Sequence, residues 1–289
     1  MKKSAFSLIE LSIVILIIGI LVAGVTQGSR VVGQMRLASA RQQTQNSPVA
    51  SISNLILWLE TTSEKSFDEA ATEDNTNINS GSSYGWYDIN PQNTRRYTAS
   101  GSTGPTYKAN CINNLPCLSF NGSSQFLSLP QIGSSAQVSI FVVYNNVSPV
   151  AGMQYLISSI NAILPSTALA TSTTSGLSYF YAVGSAYGNT GALKTNVPSI
   201  VEIIDKGASS TLYYTVPGAA MDTVSSGSAS AARDFASGAS IGSFYNGTAR
   251  SSYFNGHIAE IIMFDRALKQ EEKSAIDAYL TKKWAIETL

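Results

Sequence analysis

The chain has little of the chemistry on which most enzyme and metal sites are built. Its 289 residues include one histidine, His257, and two cysteines, Cys111 and Cys117. A single histidine argues against a Ser-His-Asp triad or a histidine-rich zinc site, and two cysteines cannot supply a four-thiolate site. Charged residues make up only 12% of the chain and the formal net charge is zero. No basic patch therefore indicates nucleic acid as a partner.

A long apolar run lies near the N-terminus. After Lys2 and Lys3, the segment FSLIELSIVILIIGILVAGV is broken only by Glu10. Residues 6–26 supply the roughly 20 residues that a helix needs to cross a bilayer. A cleaved secretory signal is the alternative, but its apolar region is shorter and ends in a small-residue cleavage site that this run lacks. The two lysines place the N-terminus in the cytoplasm and the rest of the chain on the other side.

Glu10 is unusual in a membrane anchor. An ionised carboxylate near hydrocarbon costs on the order of 2.5 to 3.5 kcal/mol unless it finds a partner. The simpler explanation is a carboxylate that snorkels to the cytoplasmic interface, since Glu10 lies close to the start of the chain.

Residues 5–11, AFSLIEL, followed by the apolar helix, resemble the N-terminus of type IV pilins and type II secretion pseudopilins. The resemblance implies that a prepilin peptidase cuts between Ala5 and Phe6 and that the new Phe6 amine is methylated. It also implies that Glu10 neutralises the N-terminal amine of a neighbouring subunit during filament assembly. Ala5 departs from the glycine that the family usually has there, and the helix-breaking proline of many major pilins is absent near Gln27.

These features divide the chain into a leader at 1–5, a pilin-type helix at 6–46 and a head at 47–289. An amphipathic pattern continues the helix past the membrane to about Gln45, and Pro48 ends it. With about 240 residues, the head is long enough for one large domain.

Residues 61–83 are polar and poor in apolar side chains, which predicts a long surface loop. The loop carries five acidic residues: Glu64, Asp68, Glu69, Glu73 and Asp74. Their oxygens make calcium an alternative ligand here, although no EF-hand spacing occurs. We expect no other cofactor.

Short apolar or alternating runs bounded by turn residues predict strands from Cys117 onward. The runs are CLSF, QFLSL, SIFVVY, LSYFYAV, SIVEIID, TLYYTV and HIAEIIMF. The pairs Asn121-Gly122, Asn246-Gly247 and Asn255-Gly256 predict turns. Helical spacing returns only between Leu268 and Trp284. Many strands without crossover helices predict an antiparallel sandwich or barrel.

This region resembles the concanavalin A-like jelly rolls of the laminin G type. The motifs are LWL at 57–59, WYD at 86–88, LSFNG at 118–122 running into FLSL at 126–129, FNGHIAEII at 254–262 and FDRAL at 264–268. The resemblance implies a head that binds glycans or proteins. His257 stands where that family often has an acidic residue.

The same sandwich also hosts glucanases, so a glycosidase is an alternative. Retaining glycosidases need two carboxylates about 5 Å apart. Glu202 and Asp205 are three apart, which places them on opposite faces of a strand, and Glu260 and Asp265 fail the same test. We interpret Glu260 as a structural hydrogen-bond acceptor and expect no enzyme.

Cys111 and Cys117 enclose a short loop, which predicts a disulfide in an oxidising compartment, worth about 2 kcal/mol by loop entropy. Six tyrosines could stack on sugars, but tyrosine on strands is more often core or sheet surface, so we predict no binding site among them. They are Tyr179, Tyr181, Tyr187, Tyr213, Tyr214 and Tyr245.

Taken together, the sequence predicts a mainly β protein: a transmembrane and stem helix, an antiparallel sandwich and a short C-terminal helix. We expect a minor subunit of a type IV pilus-type filament with a lectin-like head for adhesion. The alternatives are a type II secretion pseudopilin and a major structural subunit with a non-binding head. The expected partners are other pilin subunits, the prepilin peptidase, the bacterial inner membrane before assembly, and a glycan or surface protein. After assembly, we expect an extracellular pilus or a periplasmic pseudopilus.

Overall fold

The structure is a computed structural model that describes residues 8–79, 81, 84–94, 96–147, 152–160, 167–172, 177–182, 185–190, 194–227 and 233–287. Helix α1 spans Leu8–Gln45, 38 residues, and is therefore about 57 Å long. It stops three residues before Pro48, whose fixed φ begins a 3-10 turn at Val49–Ser51.

Strands follow α1, and helix α2 at Gln270–Trp284 closes the fold. The strands are β1 Leu55–Glu60, β2 Trp86–Tyr87, β3 Thr98–Ala99, β4 Thr106–Ile112, β5 Leu115–Asn121, β6 Leu127–Leu129, β7 Gly133–Ser135, β8 Val138–Asn146, β9 Met153–Ser159, β10 Thr167–Ser172, β11 Leu177–Ala182, β12 Ser185–Thr190, β13 Pro198–Asp205, β14 Ser209–Thr215, β15 Asp222–Gly227, β16 Arg233–Phe235, β17 Ala239–Ile241, β18 Phe244–Tyr245, β19 Arg250–Ser251 and β20 Asn255–Phe264. A second 3-10 turn covers Glu69–Thr72.

Two antiparallel sheets form the body of the head. In the described residues, the larger sheet has the order β15-β14-β13-β8-β20-β5-β4, and β1 also pairs with β20. The smaller sheet has the order β12-β11-β10-β9-β17-β6. The main core lies between the sheets, where Val142 and Ile261 of the larger sheet and Leu156 and Leu169 of the smaller one share a single apolar cluster. This is the antiparallel, mainly β architecture that the strand pattern predicted.

A second apolar layer covers the other face of the larger sheet. Ile276, Leu280 and Trp284 of α2 are fully buried there in a cluster that includes Phe141 of β8. Ala40, near the end of α1, belongs to the same cluster and is 2% exposed. The end of the stem and the C-terminal helix thus lie on one face of the head.

Two sequence expectations need correction. Asn255-Gly256 does not form a turn but begins β20, where a Cβ on Gly256 would lie 2.2 Å from the Asn145 carbonyl oxygen. Glycine is needed there because the backbone of β8 approaches so closely. The segment 61–83 is also more than a solvated loop, since Phe67, Ala71 and Ile78 are buried in the main core.

Candidate assembly interface

The N-terminal part of α1 presents an apolar surface that no other described part of the chain covers. Leu8 is 85% exposed, Ile15 61% and Val25 72%. By length and composition, this helix can cross a membrane, with a mean hydropathy of 2.9 over its most apolar window. Glu10 is exposed in its first turn. The expected processing positions, Ala5 and Phe6, lie outside the described residues.

The last turns of α1 are attached to the head by polar contacts. The Arg41 guanidinium donates through Nε to the Thr62 carbonyl oxygen at 2.9 Å and through Nη1 to Glu64 at 2.6 Å. Thr44, 5% exposed, lies with its hydroxyl 3.3 Å from the Tyr279 hydroxyl of α2. These contacts make the end of the stem part of the head.

Next to Tyr279, Lys283 of α2 is buried between two carboxylates. Glu60 of β1 and Glu260 of β20 are directly opposite each other in the antiparallel ladder. Lys283 of α2 places its Nζ 2.8 Å from Glu60 Oε2 and 3.0 Å from Glu260 Oε2. All three side chains are at most 1% exposed. This junction cluster joins α2 to β1 and β20.

Neutral donors complete the hydrogen bonding of the cluster. Glu260 accepts hydrogen bonds at 2.8 Å from the indoles of Trp58 and Trp284 and from the Tyr279 hydroxyl. Its predicted role as a structural acceptor is confirmed. Burial alone would raise the pKa of the Glu60 carboxyl, but the charge of Lys283 and the hydrogen bonds from Thr62 lower it below its ordinary value.

The Glu60–Glu260 pair is not visible in the spacing of carboxylates within single strands. The pair is created by the register of β1 against β20, which brings together residues 200 positions apart in the sequence. Sequence alone does not give this register. Because both carboxylates are enclosed and bonded to donors, a sugar cannot reach them as glycosidase chemistry requires.

A second buried ion cluster lies nearer the start of α2. Lys273 Nζ is 2.7 Å from Glu202 of β13 and 2.7 Å from Asp277, and it lies 3.9 Å from the centroid of the Tyr213 ring. Burial, together with the negative charge of Asp277, raises the pKa of Glu202 to about 8. The neighbouring carboxylates raise the pKa of Lys273 despite its own burial. Near neutral pH we therefore expect Glu202 to be protonated while Lys273 keeps its charge.

Asp205 faces away from Glu202, as their spacing predicted. It forms a buried pair with the Arg233 guanidinium, and it also accepts from the Ser210 hydroxyl at 3.0 Å. The pair fixes the turn between β13 and β14, because Arg233 also donates to the Gly207 carbonyl oxygen at 3.1 Å.

The predicted disulfide joins Cys111 of β4 to Cys117 of β5, with their Cα atoms 5.8 Å apart. His257 of β20 lies beside it. In the described part of the chain, these three form the one group of His, Cys, Asp or Glu side chains compact enough to surround a metal ion. Because the two sulfurs are bonded to each other, they offer no thiolate to a metal. Burial and then Lys108 lower the pKa of the His257 imidazole.

The acidic residues of segment 61–83 are partly engaged by protein donors. Asp68 accepts from the Tyr87 hydroxyl at 2.5 Å, and Asp74 accepts from the Ala109 amide at 2.8 Å. Glu64 is paired with Arg41. These carboxylates brace the loop against the head, and within the described residues no three of them converge as a calcium site requires.

The three tyrosines whose side chains the structure describes do not form one aromatic platform. Tyr214 is 4% exposed in the main core, Tyr213 lies under Lys273, and Tyr245 lies 4.4 Å from the Arg250 guanidinium. The side chains of Tyr179, Tyr181 and Tyr187 lie outside the described residues.

Residues 1–26 match the model of the prokaryotic N-terminal methylation motif. No curated protein matches the chain. The motif and the apolar helix that contains most of it fit anchoring in a membrane before assembly into a pilus or pseudopilus. They support a pilin-like or pseudopilin-like subunit, processed by a prepilin peptidase and assembled with other pilins.

Solved structures similar to this chain include sialidases. A mutant of Trypanosoma rangeli sialidase with trans-sialidase activity has a TM-score of 0.52 at 12% identity, over 88% of this chain and 38% of that chain. The T. rangeli sialidase complex with sialic acid has a TM-score of 0.48 at 11% identity, over 80% and 33%. A mutant of the NanB sialidase from Streptococcus pneumoniae has a TM-score of 0.44 at 14% identity, over 55% and 27%. The chain spans about a third of the T. rangeli structures, and the likeness concerns the fold alone.

Proposed function

We propose that this chain is a minor subunit of a type IV pilus-type filament and that its head is a lectin-like binding domain. The observation that carries the proposal is the methylation motif at residues 1–26, which leads into an exposed apolar helix. An apolar surface of this size needs either lipid or other helices around it. In the membrane the helix is surrounded by lipid, and in a filament it packs against the helices of other subunits.

The proposed subunit has a leader at 1–5, a helix at 6–46 and a head at 47–289. A prepilin peptidase removes the leader between Ala5 and Phe6, and the Phe6 amine is methylated. Glu10 then neutralises the amine of a neighbouring subunit, because a carboxylate among packed apolar helices needs an opposite charge.

For the head, we propose the concanavalin A-like, laminin G type of sandwich and a role in adhesion to a glycan or a surface protein. Two antiparallel sheets around one core support this assignment. We propose no catalytic activity, because Glu60 and Glu260, which face each other across two strands, are enclosed and bonded to Lys283.

The alternative is a pseudopilin of a type II secretion system, or a major subunit, with a head that binds nothing. Mass spectrometry of the N-terminal peptide from sheared surface filaments and from membranes separates these cases. Methylated Phe6 in the sheared fraction is the expected result. The same peptide in membranes alone would favour a pseudopilin, and an unprocessed Met1 in both fractions would contradict both.

The role of Glu10 has its own test. Glu10→Gln removes the charge but keeps the shape, so we expect processing to continue and the amount in sheared filaments to fall at least tenfold. Ser12→Ala is the matched control, since its hydroxyl donates to the Ile9 carbonyl oxygen of its own helix. Equal assembly of the two variants would refute the proposed role.

Binding by the head is tested with the full chain in detergent on an array of glycans and surface proteins. Retention of a ligand class supports the lectin-like role. A folded protein that retains nothing would favour the structural alternative.

A further inference from the structure

We propose that a groove between α1 and the head binds the headgroup of an anionic phospholipid while the subunit is stored in the membrane. The proposal rests on the proposed function in one respect, that α1 spans the bilayer before assembly. It assigns a ligand to a part of the stem that lies beyond the methylation motif.

The groove lies where α1 passes the hairpin of β4 and β5. Its volume is about 650 Å³. Arg30, Gly33 and Arg36 line it from the helix, and Asn110 and Asn114 line it from the head. Gly33 leaves the floor open, because a Cβ at this position would have no neighbouring atom within 4 Å.

The two arginines of this groove, Arg30 and Arg36, are available to bind a ligand. In the part of the chain that the structure describes, neither Arg30 nor Arg36 has an ion pair or hydrogen bond, and both are exposed. The next arginine along the helix, Arg41, is by contrast paired with Glu64. A guanidinium presents planar N–H donors that match the oxygens of a phosphate, and asparagine amides add neutral donors. The groove therefore suits a phosphate-bearing anion.

The position of the groove along α1 favours a lipid as its ligand. From Leu8 to Arg30 the helix rises about 33 Å, close to the roughly 30 Å of a hydrocarbon core. Arg36 lies about 9 Å further out, and its long side chain can reach back to the same layer. Both arginines are thus at the level of the headgroups on the side of the head.

The apolar side chains of the groove agree with a lipid and not with a free phosphate. Val32 and Leu37 line the groove beside the arginines. Val25, one to two turns toward the membrane, is 72% exposed. A phospholipid can place its phosphate between the arginines and its glycerol and upper acyl chain along these residues, whereas inorganic phosphate would contact only the polar part.

The test is native mass spectrometry of the full chain in detergent, titrated separately with phosphatidylglycerol, phosphatidylcholine and inorganic phosphate. We expect phosphatidylglycerol to be retained at least tenfold more tightly than phosphatidylcholine. Arg30→Gln combined with Arg36→Gln should remove that preference. Lys194→Gln combined with Lys206→Gln is the matched control, because it deletes two exposed positive charges of the head.

A second variant, Gly33→Leu, keeps every charge but fills the groove, and glycine-to-leucine also favours the helix. It should weaken phosphatidylglycerol retention about as much as the arginine variant. Undiminished retention in both variants would overturn the proposal, and phosphate binding equal to that of the lipid would show an anion site without lipid selectivity and overturn it too.

Two further measurements distinguish a failure of the groove proposal from a failure of the proposed function. Insertion into membranes is measured by carbonate extraction, and processing by the N-terminal peptide. A processed, inserted chain without lipid preference would refute only the groove proposal. A chain that prefers phosphatidylglycerol but is never processed would refute only the pilus proposal.

Discussion

Two lysines of α2 place positive charges in the interior of the protein. Lys273 and Lys283 are both at most 2% exposed, and each lies between two carboxylates. Burying such ions is costly, but leaving one of them without its partner is costlier still. The two lysines therefore specify where α2 lies on the sheet, because a shift of the helix would leave three strand carboxylates, Glu60, Glu202 and Glu260, without their partners.

Replacement of Lys283 tests this at the junction cluster. Lys283→Met leaves Glu60 and Glu260 buried without a counter-charge, so we expect the free energy of unfolding to fall by about 3 to 5 kcal/mol. Chemical denaturation measures the change. Lys282→Met is the control, since Lys282 is exposed. Equal stability of the two variants would contradict the importance of the buried charge.

The second cluster predicts a dependence of stability on pH. The pKa of Glu202 is raised from an ordinary 4.5 to about 8 by burial and by Asp277. The folded state thus holds a proton that the unfolded state loses, and the free energy of unfolding should fall as the pH rises from about 4.5 to about 8. Lys273, whose pKa is raised, loses its contribution only above that window.

Denaturation at several pH values checks this expectation. Glu202→Gln cannot ionise and should flatten the dependence between about pH 4.5 and about pH 8. Glu73→Gln, a change at an exposed position, should leave the slope as it is. An unchanged slope in Glu202→Gln would assign the dependence to other groups.

Among the elements, α1 has two parts with different surroundings. Its first turns are exposed and apolar, whereas Ala40 and Thr44 are buried against the head. The bonds from Arg41 to Thr62 and Glu64 help to hold this second part to the head. The angle between stem and head should therefore depend on these side chains.

Loss of these bonds should loosen the junction without unfolding the head. For Arg41→Ala combined with Thr44→Val, we expect a broader distribution of distances between spin labels on Gln34 and Lys206. The free energy of unfolding should fall by only about 1 to 2 kcal/mol. An unchanged distribution would mean that packing alone fixes the stem.

The control for the junction is Gln42→Ala combined with Gln45→Ala. Both glutamines are exposed on the same turns of α1. This pair of changes should leave the distances as they are in the unaltered chain.

The elements differ in how far sequence could predict them. Strands β8, β13 and β20 and helix α2 follow from local apolar spacing, which depends only on neighbouring residues. The Glu60–Glu260 pair and the burial of Phe67 depend on register and on packing between distant segments, which single-sequence patterns do not contain. The Asn255-Gly256 error has the same origin, since close approach by β8, and not a turn, requires the glycine.

At the scale of the whole molecule, we expect the end of the stem to contribute to the stability of the folded head. A fragment of residues 37–289 keeps Ala40, Arg41 and Thr44, and a fragment of residues 49–289 loses them. We expect the shorter fragment to be less stable by about 2 kcal/mol, from lost apolar burial and hydrogen bonds. Thermal and chemical denaturation of both fragments measures the difference.

A third fragment, residues 30–289, serves as the control. Its additional residues are mostly exposed on α1, so its stability should equal that of residues 37–289. If all three fragments are equally stable, the head folds independently of the stem.

The route of the chain from α1 into β1 also determines how the molecule responds to a pulling force. Only residues 46–54 separate the stem from β1, and β1 pairs at five positions with β20, a ten-residue strand. Along the backbone, tension on the stem therefore reaches β1 before any other strand. Since Glu60 at its end is tied to Lys283, β1 cannot be pulled out without exposing a buried charge. We therefore expect the junction cluster to resist withdrawal of β1 when the stem is pulled.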